Sequence, residues 1–594
     1  MPGFGLVFDT KSRGATTPDR FRSGLDAMRH DDRYRSCVLS VDHPTLIGWT
    51  VYDGYPIRAW ESRQFRVVVE GMIYDRTWDQ FLAQVEAVEN ERDPWERAGR
   101  IISDCAAAAD GDFAIILSTK VPPHGIIVAL DPLGRLPVYW SQEEGRLIVG
   151  REVKFLVALR STVQPDRTGI AQMLAMGFPW EDRTLVSGVR RLPPGAVLSW
   201  REDETDPRIM SAEPSFVTGP VERRMADCAG ELVEQFLTAT RRRVDTCSNR
   251  PLVLSLSGGM DSRGVAAAFY RLDVDAVART FSFPGYQSPR EAESAREIAG
   301  LSRLDWRSVP VSAPSPESYD RLVHLKDGLN SAAMAYADQY LTVLVGEAGP
   351  NAVLFSGGGG DLALVPRHPE RRLRSTDELA DLLLFRNLVF HPRLLIDAMG
   401  IGRRELQTEL AGWLDSYPES DMADKYLHFC FAGYEYKSYF EGEDRNRSYL
   451  WTAAPFYSPR FFERAMRVPF EWKRRRRLAG EFLRQFNPEV GRVRNANTGL
   501  VPGSVRDSAR QWGRQFALSR GSWEKAARKW RRRHTAGWPF PPVPRTQLVE
   551  RITASPSVGE VFRRDRLLDW VENPAHAAQV WPLYTIVRYL RSLD

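Results

Sequence analysis

Pro251-Leu252-Val253-Leu254-Ser255-Leu256-Ser257-Gly258-Gly259-Met260-Asp261-Ser262 decides the fold of the larger half of this chain. Residues 251–256 are a short, mostly apolar run of buried-strand type, residues 257–260 form a turn, and a helix opens at about Asp261. Gly258 and Gly259 let the backbone turn tightly and bring its N–H groups close to an anion. The start of the following helix offers unpaired N–H groups and a positive dipole end. Ser257 and Ser262 add hydroxyl donors, while Leu254, Ser255 and Met260 complete the backbone around them. Asp261 is out of place beside bare phosphate unless a cation lies between, so it reads as a Mg²⁺ ligand. The GxxxxGK[ST] form of a γ-phosphate cradle is absent, and the loop suits pyrophosphate leaving an α-phosphate under attack.

Outward from the loop, a helix at about 222–246 precedes the first strand, and further apolar strands are expected at 277–283 and 352–355. Strands alternating with helices point to a parallel, doubly wound α/β sheet. The last of these strands runs into a second cluster, Ser356-Gly357-Gly358-Gly359-Gly360-Asp361. Both clusters then sit at strand C-terminal ends, where such folds bind ligands, and Asp361 can meet Asp261 across one Mg²⁺–pyrophosphate. Four consecutive glycines are read as close approach of the backbone to that ligand. Beyond residue 365 the chain reads as mostly helical.

The first 215 residues differ. Short strands are expected at 37–41, 46–51, 65–74, 112–119, 125–130 and 196–200, with helices at 77–89 and 151–159. This is a layered α+β pattern, and residues 202–220, with repeated Asp, Glu, Pro and Ser, read as a linker. The domains expected are 1–215 and 216–594, the latter with a core at about 222–500 and a basic helical extension over 501–594. A length of 594 residues is too great for one core, and 43% hydrophobic residues suffice for globular packing. A formal charge of +5 is small for this length and argues against nucleic acid as the partner. Five scattered cysteines without a CxxC pair read as reduced, mostly buried thiols. With no signal-peptide pattern at the start and no apolar run approaching roughly 18 residues, a cytoplasmic protein without a membrane partner is expected.

These motifs resemble the asparagine synthetase family over roughly residues 1–500. Ser257–Ser262 is similar to that family's SGGxDS loop. Ala278-Arg279-Thr280-Phe281-Ser282-Phe283 with Glu291, Glu293 and Ala295 is similar to its adenine and ribose strand and helix. Leu354–Asp361 is similar to its LSGxGxDE segment, and Ala454–Ser458 with Met466 and Pro469 to its VPFLD…A…P stretch. Asp110–Ala114, Asp131–Trp140 and Arg191–Gly195 are similar to the family's glutamine-amidotransferase domain. The resemblance implies an Ntn-hydrolase-like αββα sandwich followed by an ATP-pyrophosphatase domain of the adenine nucleotide α-hydrolase type. It also implies ATP and Mg²⁺ as cofactors, with Thr280, Phe281, Ser282, Phe283, Ser356, Gly357, Gly358, Gly359 and Gly360 among the nucleotide contacts.

Three departures shape the functional expectation. The family's amidotransferase nucleophile is an N-terminal cysteine, and position 2 here is Pro2, so ammonia from glutamine is not expected. Members without that cysteine include β-lactam synthetases and lasso-peptide cyclases, which adenylate a carboxylate and let an amine of the same substrate attack it. β-Lactam synthetases carry a Tyr of a Tyr–Glu pair where Gly358 stands, and the family's downstream Lys falls around residues 494–496, where Arg494-Asn495-Ala496 stands, so Arg492 or Arg494 is the expected cation at the oxyanion and pyrophosphate. The expectation is therefore a lasso-peptide cyclase joining a peptide's N-terminal amine to an Asp or Glu side chain, releasing AMP and pyrophosphate. Its substrate is a precursor peptide, with room for a leader-binding protein and a leader peptidase as partners. The alternatives are a small-molecule β-lactam synthetase-like cyclase, amidation by free ammonia, and a nucleotide-binding regulatory protein without catalysis. Glu435, Glu441, Glu443 or Asp444 can serve as the base for the amine, though surface carboxylates are the default. The runs 473–477 and 529–533, the second interleaved with Trp512, Trp523 and Trp530, read by default as solvated basic helix faces, with a surface for an acidic peptide, a partner protein or the phosphates as the alternative and nucleic acid as a third.

Overall fold

The computed structural model describes residues 2–10, 16–89, 91–143, 145–219, 224–283, 289–365, 367–387, 392–519, 545–573 and 580–594. The basic run at 529–533 with Trp523 and Trp530, and the first turn expected at 222, lie outside these residues. Along Gly3–Asp9, Phe4, Leu6 and Phe8 face one side and Val7 the other, as side chains on a strand must. Two antiparallel six-stranded sheets are built on such alternation. One runs in space Arg190–Arg191, Tyr139–Glu143, Arg146–Gly150, Gly3–Asp9, Thr45–Val51, Arg35–Ser40. The other runs Arg208–Ser211, Ala196–Arg201, Gly125–Leu130, Gly111–Thr119, Phe65–Ile73, Ile57–Glu61. Phe4, Leu6 and Phe8 meet Val68, Ile116 and Val128 between the sheets. Helices Pro18–Ala27 and Val153–Leu159 cover one outer face, and Trp78–Ala87 and Pro94–Ala108 the other. The αββα sandwich is present.

Several of these elements are absent from the pattern reading. Gly3–Asp9 carries two glycines, which weaken its strand signal. The expected linker contains a strand: Arg208–Ser211 is exposed at all four residues and owes its place to backbone pairing with Ala196–Ser199. Phe216, beyond it, is fully buried.

The C-terminal sheet is parallel, in spatial order Asp305–Pro310, Val277–Ser282, Leu252–Ser255, Val353–Phe355, Trp451–Ala453. In chain order this is 3-2-1-4-5, a doubly wound sheet that reverses direction between Leu252–Ser255 and Val353–Phe355. Both glycine clusters leave the sheet at that reversal. Trp451–Ala453 is too short, and Asp305–Pro310 too polar, to show as strands in the pattern. Among the described residues, no helix is long and apolar enough to cross a membrane.

The segment after the sandwich is clamped by a histidine. His428 is stacked between Tyr417 and Phe216, at 3.8 and 4.6 Å between ring centroids, with Glu419 3.0 Å from Nδ1 and Glu213 3.4 Å from Nε2. Burial lowers its pKa, but the two carboxylates outweigh that and the net shift is upward. A base held above its unfolded pKa stabilises the fold at low pH, and this contribution is lost as pH rises through the folded value. His428→Gln is expected to cost about 2 kcal/mol at pH 6, with the deficit shrinking by pH 9; chemical denaturation at both pH values checks it.

Candidate active site

The strand–loop–helix at Leu252–Leu272 forms as its sequence implies. Ser262 Oγ accepts from the Ser257 N–H at 3.0 Å and lies 3.0 Å from Ser257 Oγ, closing the loop on itself. No side chain caps the helix Asp261–Leu272, so its first-turn N–H groups keep their capacity for an anion. Glu291, in the first turn of Pro289–Leu301, accepts from the Gly258 N–H at 2.9 Å.

Arg263 holds this loop in place, a role the sequence reading missed. Its buried guanidinium donates to the carbonyls of Gly258, Gly259, Val490, Val493 and Arg494 at 2.6–3.4 Å. With five carbonyls about it and burial pulling its pKa down to about 10, it still carries its charge at neutral pH. The segment 490–494 is thereby tied to a loop more than 220 residues earlier.

The second glycine cluster packs onto the first. A side chain at Gly360 would begin 2.7 Å from Asp261 Oδ1, and one at Gly357 would begin 2.8 Å from Asp261 Cβ. These glycines are explained by loop against loop, which corrects the expectation that the ligand alone demands them. The packing brings the Asp261 and Asp361 carboxylates to one place. Burial, and then the negative charge of Asp361, push Asp261 up to about 7. Asp361 ion-pairs with Arg367.

The cations are not the ones expected. Arg492 and Arg494 both have exposed side chains, and what Arg494 offers the loop is its carbonyl, which also accepts from Ser294 Oγ at 3.1 Å. The charges that act on Asp261 are those of Arg367, Arg476 and Arg263. Arg476 belongs to the run 473–477, which is not a uniform solvated helix face. Arg475 and Arg476 take left-handed backbone at φ 54° and 58°, and Lys473 is buried, its pKa pulled down to about 7. On the adenine strand, Leu254 is fully buried, and the Thr280 hydroxyl is consumed by the Leu256 carbonyl and the Trp306 indole. Ser282 accepts from Ser308, while Phe281 and Phe283 pack on Tyr336. Of Thr280–Phe283, Phe281 and Ser282 keep partly open side chains.

The four acids near residue 440 are buried, which overturns the surface expectation and separates them into two pairs. They lie on a π-helix, Cys430–Tyr439, continuing as the α-helix Phe440–Arg447. Wide turns of this kind re-aim side chains and recur at functional sites. Glu441 and Asp444 are locked by Tyr139, Arg191, Arg151 and Lys326. Glu435 and Glu443 lie toward the glycine loops. Glu443 is 3.3 Å from Ser356 Oγ, and a side chain at Gly358 would begin 2.8 Å from the Tyr439 hydroxyl and 2.9 Å from Glu443 Oε1. The space above Gly358 is thus filled by a Tyr and a Glu from the helix. Glu435 accepts from the Tyr457 hydroxyl; burial, and then Asp361, push its pKa up to about 8.

In the sandwich, the space beside Gly3 is filled by Arg151 and Glu70, joined at 2.7 Å, and the Phe4 N–H donates to Glu70. No cysteine stands there: Cys37 lies two strands away, and the other four are buried. Beyond Arg367, a groove of about 390 Å³ lined by His368, Lys473 and Phe470 leads into one of about 990 Å³ reaching Arg474 and Trp512.

Residues 94–210 match a glutamine amidotransferase domain profile, and residues 231–590 match the asparagine synthase profile. A carboxyethyl-arginine beta-lactam-synthase of Streptomyces clavuligerus is 26% identical over 52% of this chain and 57% of its own length. A glutamine-hydrolyzing asparagine synthetase of Bacillus subtilis (strain 168) is 24% identical over 36% of this chain and 33% of its own length. The chain therefore spans about half or less of each of these relatives. A solved glutamine phosphoribosylpyrophosphate amidotransferase from Bacillus subtilis covers 73% of this chain and 96% of its own at 10% identity, with a TM-score of 0.25, an overlap too loose to bear on the fold. Since the asparagine synthase profile covers more than half of its residues, this chain belongs to the asparagine synthase family.

Proposed function

We propose that this chain is an ATP- and Mg²⁺-dependent amide synthetase that closes a ring within one substrate. The observation that carries this reading is the meeting of Asp261 and Asp361 at the sheet reversal, beside uncapped helix N–H groups. Among the described residues, no cluster of three or more metal-ligating side chains occurs. Two neighbouring carboxylates are what Mg²⁺ takes when phosphate oxygens and water complete its shell. Asp261 and Asp361 would hold the ion, which when bound offsets charge on the phosphates. A substrate carboxylate attacks the α-phosphorus, an O–P bond forms, and pyrophosphate leaves. An amine nitrogen then attacks the carbonyl carbon, the C–N bond forms, the C–O bond to AMP breaks, and the amine's proton passes to Glu435. Holding amine and adenylate together makes the second step effectively unimolecular, an advantage of about 7–11 kcal/mol.

The space beside Gly3, filled by Arg151 and Glu70, supports an amine that comes with the substrate and not from glutamine. The groove past Arg367, two adjoining spaces of about 390 and 990 Å³ that share His368, Phe470 and Glu471, supports a peptide substrate of the lasso-peptide type. A small-molecule cyclase is the second reading, favoured by the identity to the beta-lactam-synthase. ATP–pyrophosphate exchange separates the two. Peptides with a free N-terminus and one Asp or Glu are expected to stimulate exchange and yield AMP with a ring product, while carboxyethyl-arginine should not. Exchange with carboxyethyl-arginine alone overturns the peptide reading.

A further inference from the structure

The helix 430–447 is the wall between the two halves, and one side of it is held by arginines from the sandwich. Arg135 donates from Nε to Asp112 at 3.0 Å and ion-pairs with Glu443. Arg191 lies 2.8 Å from Glu441, and Arg151 lies 2.5 Å from Asp444. All of these side chains are at most 3% exposed. Burying so many charges is a poor way to hold two surfaces together. Desolvating each ion costs several kcal/mol, and apolar side chains of similar volume often do as well.

Arg135 differs from the others in what it reaches. Glu441 and Asp444 are shared with the sandwich and Lys326. Glu443 stands beside Ser356 and Gly358 at the second glycine loop. The Arg135 guanidinium also lies 4.0 Å from the ring centre of Tyr457, whose hydroxyl holds Glu435, and 4.4 Å from that of Phe440. One side chain from the sandwich therefore touches the supports of both acids that face the loops.

We propose that Arg135 is a positioning residue for amide formation: it fixes Glu443 at Gly358 and, through Tyr457, Glu435, so the sandwich sets the amine side of the site without performing glutamine chemistry. This rests on the adenylation-then-ligation reading above. Were Arg135 only mortar between the halves, its loss would weaken every step alike.

The test uses the full chain and whichever peptide, or carboxyethyl-arginine, activates exchange in the wild type. Three rates are compared: ATP–pyrophosphate exchange, hydroxamate formation with hydroxylamine, and formation of the ring amide. Hydroxylamine is uncharged at neutral pH and attacks an adenylate without first losing a proton to the protein. Arg135→Met is expected to keep exchange and hydroxamate formation within about threefold, and to lose ring formation by on the order of 100-fold. Arg135→Lys, which keeps the charge but not the planar fork, should recover part of that loss and shift the pH profile of ring formation. If Arg135→Met fails to fold, Arg135→Gln, which keeps a donor toward Asp112 and Glu443, is read in the same three assays. An equal fall in all three rates, or undiminished ring formation, overturns the proposal. Absence of exchange in the wild type with every probe overturns the adenylation reading and this inference with it.

Discussion

Asp261→Asn and Asp361→Asn are each expected to abolish ATP–pyrophosphate exchange, a loss of at least about 10³-fold, while leaving the melting temperature unchanged or raised. Each removes a carboxylate that would hold Mg²⁺ against the departing pyrophosphate, where charge stabilisation contributes several kcal/mol to the barrier. Neither residue is a prop of the fold. Asp261 is disfavoured as an anion by burial and by Asp361, so an amide there relieves repulsion instead of breaking a bond. Asp361 has Arg367 as its ion-pair partner, with both side chains more than a third exposed, and such pairs contribute about 1 kcal/mol or less. Exchange assays with the activating substrate, beside thermal melts, check both halves of the expectation. Wild-type exchange in either variant removes that residue from the site.

Glu435→Gln should separate the two half-reactions. Exchange is expected to persist, since Glu435 does not take part in adenylation, while ring amide falls by about 10²- to 10⁴-fold and AMP appears without it. Glutamine keeps an acceptor oxygen for the Tyr457 hydroxyl, so the loss tests proton transfer and not packing. Only the ionised carboxyl accepts a proton, and its pKa is pushed up to about 8, first by burial and then by Asp361. In the wild type the rate of ring formation should therefore climb with pH and level off above about 8. Normal ring formation by Glu435→Gln would falsify the assignment, and Glu443 would take its place.

What could be read from the sequence was local. Ser257–Ser262 and Ser356–Asp361 carry their spacing within a few residues, and the strands before them are apolar runs, so the sheet and its two carboxylates were legible. The arginines were not. Arg263 reaches carbonyls more than 220 residues away, Arg367 finds Asp361 across a turn, and Arg135 crosses to Glu443 from another layer. No periodicity encodes such contacts. One signal did lie in view: Glu435, Tyr439 and Glu443 are spaced by four, which sets three polar side chains on one face of an aromatic helix. A run of glycine states only that something comes close: Gly357 and Gly360 meet the neighbouring loop at Asp261, while Gly358 meets Tyr439 and Glu443 and Gly359 meets Tyr457.

The boundary near residue 215 divides the chain in sequence more than in cooperativity. One continuous apolar core runs from Phe4 and Val68 through Phe216 and Phe236 to Phe355 and Val493. Cutting the chain at the boundary would strip cover from both sides at once and leave Glu441, Glu443 and Asp444 without their arginines. Neither half is then a free-standing module that could be lost or exchanged without the other.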